Sequence, residues 1–215
     1  MICVSLDERW GLSFLKSLDD VEFAEIRMDR MNLTNKDIKE IFSQPKRLIA
    51  TCRPGYLNEN KRLSYLLNAI EAGSSYVDIE LESDSRFKKP IVDLAHKKGC
   101  TVIISHHDYI KTPSQEALNG IVRLCFVEGA DIAKIACKVN STSDAARLIG
   151  ILGNKDFENK VIVAGMGDKG RLVRVIAPFL GGVFTYASME KGKETAEGQI
   201  ENKRLKRVFE VLKNV

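Results

Sequence analysis

The chain has 215 residues, 44% hydrophobic and 29% charged, enough apolar material for one domain with a sizeable core. Its net charge of +4 is small for this length and its Lys and Arg are interspersed with Asp and Glu. That excludes a nucleic-acid binder held by a broad basic face, though not a local basic pocket for a small anion.

The first ten residues, "MICVSLDERW", reach charge at Asp7 without a basic n-region, so neither a signal peptide nor a membrane span is expected. Five cysteines form an odd set without CxxC spacing, which suits a soluble, reduced, cytoplasmic protein lacking disulfides and zinc knuckles.

In chain order, β-branched runs occupy 2–6, 21–28, 47–52 and 76–81, then 101–106, 131–137, 161–165 and 183–187. Segments of helical spacing lie between them. In 61–73, Leu63, Leu66, Leu67 and Ile70 form one stripe and Gly73 is the stop. In 114–129, Ser114 is placed to cap the helix and Gly129 to end it. The tail carries Leu205, Val208, Phe209 and Leu212 at 3,4 spacing. Eight strand–helix units with short connections predict an α/β fold, a single-domain (β/α)8 barrel over 1–215, with a doubly wound open sheet as the rival. In a barrel, functional residues belong at the C-terminal ends of strands and in the loops that follow.

Several strands carry charge where apolar residues are expected. Glu25 and Arg27 project from one face of "VEFAEIRMD", and Asp78 and Glu80 from one face of "YVDIELE". Inside a barrel such charges are paired or functional. Glu25 with Arg27 reads as a buried pair or a binding element, and Asp78 and Glu80 as partners for a cation within the barrel. Lys134 stands amid Ile132, Ala133, Ile135 and Ala136. Burial disfavours an ammonium, and a free amine attacks a carbonyl to form a Schiff base that serves as an electron sink. Arg27 and Arg53 are expected as its neighbours and favour that role over a lysine reaching out to a carboxylate.

The stretch "AGMGDKGR" satisfies GxGxxG with Gly165, Gly167 and Gly170. It lies in the seventh strand–helix unit with one strand left, so no mononucleotide-binding half can follow and a dinucleotide site is not expected. Lys169, Arg171 and Arg174 instead suggest an anion-binding loop. The polar segment 188–199 is a candidate lid. In "TVIISHHDY", His106 and His107 face opposite ways if the strand continues, and periodicity does not decide which faces inward. With His96 in a predicted helix, no metal site is expected.

These segments, in this order across nearly the whole chain, resemble type I 3-dehydroquinate dehydratase, the Schiff-base enzyme of the shikimate pathway. "VSL" opens the match. "AEIRMD" is similar to the family's Glu-x-Arg-x-Asp strand, "TCRP" to its Thr-x-Arg strand end and "VDIEL" to its paired-acid strand. "SHHDYIKTP", "GADIAKIA", "MGDKGRLVRV" and "EGQI" complete it.

The resemblance implies a (β/α)8 homodimer without metal or organic cofactor, acting on 3-dehydroquinate. It implies that Lys134 forms the imine with the C3 ketone. His107 would remove the C2 proton and return it to the departing C1 hydroxyl in a syn elimination. Ser5, Glu25, Arg27, Arg53, Arg174, Thr195 and Gln199 fall at substrate-binding positions, with Arg174 suited to the carboxylate.

Two departures stand out. The family often has an acid four residues after the third-strand arginine, where this chain has Leu57, so Glu59, Asp78 and Glu80 are all candidates to orient His107. The family lid has Ser followed by Ala-Pro-Gly-Gln, whereas this chain reads "TAEGQ", with Glu197 in place of proline. Another class I Schiff-base barrel such as an aldolase, or a non-catalytic anion-binding barrel, are the alternatives.

Overall fold

The inward and outward faces of the strands explain where every polar side chain of interest ends up. In the computed structural model, which describes residues 1–214, eight parallel strands surround an interior. They are β1 (Ile2–Leu6), β2 (Phe23–Arg27), β3 (Arg47–Thr51), β4 (Tyr76–Glu80), β5 (Thr101–Asp108), β6 (Ile132–Lys138), β7 (Val161–Met166) and β8 (Thr185–Ser188). Outside them lie α1 (Gly11–Ser17), α2 (Asn35–Phe42), α3 (Glu59–Ala72), α4 (Ser85–Lys98), α5 (Gln115–Val127), α6 (Thr142–Gly150), α7 (Arg171–Ile176) and α8 (Asn202–Lys213). A two-residue strand, β9 (Ile200–Glu201), extends the sheet beside β8.

Ladders run in the order β7-β6-β5-β4-β3-β2-β1-β8-β9, the curled sheet of a (β/α)8 barrel. No ladder joins β7 to β8 among the described residues. That seam is bridged by Val183, which donates its N–H to Val161 O at 3.0 Å. Phe184 fills the interior beside it, edge-on to Phe23 at 4.8 Å.

The period-2 pattern sorts the strands. Val4, Leu6, Ala24, Ile26, Leu48, Ala50, Val77, Ile79, Val102, Ile104, Ala133 and Ile135 belong to the core between sheet and helices. Cys3, Phe23, Ile49, Ile103, Ile132, Ile162, Phe184 and Tyr186 form a separate apolar plug inside the barrel. Above that plug the same inward parity carries Ser5, Glu25, Thr51, Asp78, Ser105 and Lys134, all buried. The strand β5 therefore runs Ile103, Ser105, His107 inward, which decides the histidine parity.

The helices begin and end where local chemistry directs. Ser114 accepts from Ala117 N–H to cap α5, and Gly73 closes α3 in the left-handed region. The helix α5 ends at Val127, slightly before Gly129, whose φ of +96° turns the chain. No helix among the described residues is long and apolar enough to cross a membrane. All five cysteines are buried and free.

The glycines of the GxGxxG stretch have a packing role. A Cβ on Gly165 would lie 2.6 Å from Gly170 O, and one on Gly170 would lie 2.4 Å from Gly165 C. Two backbones meet there and neither can give way. Replacing Gly165 with Ala is expected to cost about 1–3 kcal/mol, seen in thermal denaturation as a Tm drop of about 2–12 °C. Gly153→Ala, where a Cβ meets open space, should leave Tm nearly unchanged. Equal Tm values for the two variants would contradict the packing account.

Candidate active site

At the C-terminal end of the barrel, side chains from β2, β5, β6, β7 and β8 line one cavity with Arg53, Arg174 and the segment between β8 and β9. Lys134 stands at its base. Its Nζ donates to Asp78 Oδ2 at 2.6 Å and lies 3.5 Å from Glu25 Oε1. Each carboxylate is fixed from behind. Ser105 donates to Asp78 Oδ1 at 2.6 Å, while Ser5 and Thr51 donate to the two oxygens of Glu25 at 2.5 and 3.1 Å. The ring of Tyr186 offers its face to Lys134 Nζ at 4.2 Å, a cation–π contact in a buried setting.

Burial works against a charged Glu25, but Lys134, Arg27, Arg53 and the Ser5 hydroxyl outweigh it and bring its pKa down to about 2. Arg27 and Arg53 line the same cavity as Lys134, as expected of neighbours in the barrel mouth, while Asp78 is the acid that partners its ammonium. Register sets Ser105 level with Lys134, and Asp78 reaches β6 across β5 with Ser105 bracing it.

His107, whose side chain is 8% exposed, occupies the next inward position on β5. Its Nδ1 lies 2.9 Å from Glu80 Oε2 and 2.9 Å from an Arg53 Nη, and Arg53 itself donates to Glu80 Oε1 at 2.5 Å. Burial, then the positive charges of Arg53 and Lys134, push the His107 pKa well below the ordinary 6.5. The imidazole is therefore neutral near pH 7. Tyr109 stacks on it with ring centres 6.0 Å apart.

Of the three acids considered for His107, Glu80 is the one in contact. Asp78 serves Lys134. Glu59 is exposed at the first residue of α3 and is not among the partners of His107, because the loop after β3 carries it outward. His106 faces away and pairs through Nδ1 with Glu82, which raises its pKa. Asp108 ends the strand by accepting from the N–H groups of Ile110 and Lys111, both at 2.9 Å.

The arginines divide in the same way. Arg27 is held by Asp29 at 3.0 and 2.7 Å rather than by Glu25, Arg53 by Glu80, and Arg30 approaches Asp7 at 3.5 Å. Arg174 is 2% exposed and differs from these. Its Nε donates to Gly165 O at 2.7 Å and one Nη to Glu197 O at 3.4 Å. Among the described residues it is the one arginine of the cavity without a carboxylate partner. Burial lowers its pKa to about 10, a measure of how poorly its charge is compensated. Lys169 and Arg171 stay outside, on Asn140 O at 2.8 Å and Asp168 at 2.9 Å. The predicted anion loop therefore reduces to Arg174, the one of these three basic side chains that lines the cavity.

The segment between β8 and β9 covers the cavity. Thr195 donates from Oγ1 to Ser5 Oγ at 2.7 Å, and Gln199 Oε1 accepts from Thr195 N–H at 2.9 Å. Sequence reasoning gave no role to Asp29, Thr51, Ser105, Tyr186 or Lys138. Asp29 was visible in the "RMD" spacing and Thr51 in "TCRP", while the others follow from strand register alone. The Tyr186 hydroxyl is buried without a hydrogen-bond partner. Among the described residues no group of His, Cys, Asp and Glu is arranged to hold a metal ion.

Comparison with known proteins identifies the family. Residues 2–215 match the family model described as type I 3-dehydroquinase. A 3-dehydroquinate dehydratase of Methanocaldococcus jannaschii is 35% identical over 206 residues, 92% of this chain and 90% of the relative. The crystal structure of the 3-dehydroquinate dehydratase from Aquifex aeolicus superposes with a TM-score of 0.82 at 28% identity, covering 100% of both chains. The type I enzyme of Clostridium difficile, solved with covalently modified comenic acid, gives a TM-score of 0.86 at 24% identity and covers 100% of this chain and 93% of its own. The chain belongs to the type I 3-dehydroquinase family.

Proposed function

We propose that this protein dehydrates 3-dehydroquinate to 3-dehydroshikimate through a Lys134 imine, with His107 moving the proton. The observation that carries the reading is a buried lysine and a neutral, acid-anchored histidine lining one cavity with an uncompensated arginine.

Lys134 must first lose a proton, and Asp78 Oδ2 at 2.6 Å is placed to take it. The amine then adds to C3, and the ketone oxygen departs as water to leave a protonated imine. Glu25 and Asp78, which held the ammonium, then hold the iminium. That cation draws the electron pair released when His107 removes the C2 proton, giving an enamine.

Glu80 engages the Arg53 Nη that also approaches Nδ1, so the carboxylate is the acceptor assigned to Nδ1–H, which leaves Nε2 of His107 as the base. The protonated imidazole next gives its proton to the C1 hydroxyl, which leaves as water as the C1–C2 double bond forms. Hydrolysis of the new imine frees the ketone product and restores Lys134.

Arg174 is assigned the substrate carboxylate, since an incoming anion is the partner it lacks. Ser5, Glu25, Arg27, Arg53, Thr195 and Gln199 are assigned the hydroxyls and the ring. A sugar-phosphate aldolase would want a richer phosphate site than Arg174 alone, with Lys169 and Arg171 engaged elsewhere. Membership of the family also supports a cytoplasmic homodimer needing neither metal nor organic cofactor.

Steady-state assay with 3-dehydroquinate tests the reading. His107→Ala is expected to lower kcat by about 10²–10⁴-fold. His106→Ala, on the opposite face with Glu82, should cost far less. Similar losses from the two variants would overturn the assignment of the base.

The pH profile gives a second test. The base works only when unprotonated, and its pKa lies below 6.5. The acid limb of kcat/KM is therefore expected well below 6.5, with a flat profile through neutrality. Glu25 stays ionised until the pH approaches about 2, so it does not set that limb. A limb centred at or above 6.5 would contradict a buried, neutral His107.

A further inference from the structure

The covering segment carries a charge where the family pattern has proline. The Glu197 carboxylate accepts from Lys138 Nζ through both oxygens, at 2.7 and 2.6 Å, while its main-chain oxygen accepts from Arg174. Lys138 ends β6, four residues beyond Lys134 on the inward parity, and lines the same cavity.

Two glycines make the contact possible. Gly167 has φ +81°, and a Cβ there would stand 3.0 Å from Lys138 Nζ. Gly198 has φ +80°, and a Cβ there would stand 2.5 Å from Gly167 O. The lid thus docks backbone to backbone on the loop after β7. Its other end is held by Arg9, which donates to Lys193 O and Glu194 O at 3.2 and 3.3 Å and is itself fixed by Asp7.

We propose that Lys138 and Glu197 are positioning residues whose ion pair latches the lid closed, bringing Thr195, Gln199 and Arg174 to bear on the bound substrate. A proline would limit the freedom of the open segment. A glutamate leaves that freedom in place and must hold the closed form by attraction. The pair is partly exposed, at 27% for Lys138 and 63% for Glu197, so its hold is weak and screened by salt. A weak hold suits a cover that must open in each turnover.

The inference rests on the dehydratase reading for its kinetic arm only, because lid closure can be followed without substrate. The test compares wild type, Glu197→Gln, Lys138→Met and the double variant in the full chain. It uses hydrogen exchange of the 194–199 amides and steady-state kinetics with 3-dehydroquinate. Each single variant is expected to raise lid exchange and KM by about two- to fivefold, the effect of a partly exposed ion pair, with kcat changing less. The double variant should be no worse than either single one, and 0.5 M salt should narrow its difference from wild type. Unchanged exchange in both single variants, or additive effects in the double, would overturn the latch. A wild-type protein inactive on 3-dehydroquinate would instead sink the dehydratase reading, and the exchange data would still decide the latch.

Discussion

Lys134 is held between Asp78 and Glu25 in nearly complete seclusion from water. Two carboxylates around one ammonium are costly to bury unless every remaining lone pair is occupied. Ser5, Thr51 and Ser105 donate to three of the four carboxylate oxygens, each from a neighbouring strand. The barrel supplies this cage because parallel strands in register aim successive inward residues at one axis, above a plug of Phe23, Phe184 and Tyr186. The cage suits imine chemistry for a simple reason. An ammonium and a protonated imine carry the same charge at nearly the same place, so the surroundings need not reorganise when one becomes the other.

The same economy governs His107. It lies one inward step beyond Ser105, and its neutrality follows from the burial and cations that make the rest of the site. Glu80 holds Nδ1 while engaging Arg53, so one acid fixes both the base and a binding arginine. Arg174 is treated in the opposite way. Left without a carboxylate in a site that pairs its other arginines, it keeps its electrostatic demand for an anion from solution.

Much of this was legible in the sequence, and the limits have physical causes. Alternation of strands and helices predicts the barrel, and charges such as Lys134 inside apolar runs mark the interior. Parity within β5 could not be read because both faces of a barrel strand are covered, and resemblance to the family was needed to favour His107. Partner assignments were less accessible still. A buried Glu25–Arg27 pair was one of two readings of their shared face, and the structure instead gives Glu25 to Lys134 and Arg27 to Asp29. The acid in contact with His107 is Glu80 on a neighbouring strand, not Glu59 in the nearer loop. Glycine spacing was readable only as a negative, with no dinucleotide site expected from it. The GxGxxG stretch looks like a phosphate cradle but answers a need for backbone contact between Gly165 and Gly170.

The caged lysine is the group proposed to bond to substrate. Borohydride reduction in the presence of 3-dehydroquinate, followed by peptide mass mapping, tests it most directly. A stable adduct is expected on Lys134 and on no other lysine, including Lys138 at the mouth of the same cavity. Undiminished turnover by a protein whose Lys134 stays unmodified under those conditions would contradict it.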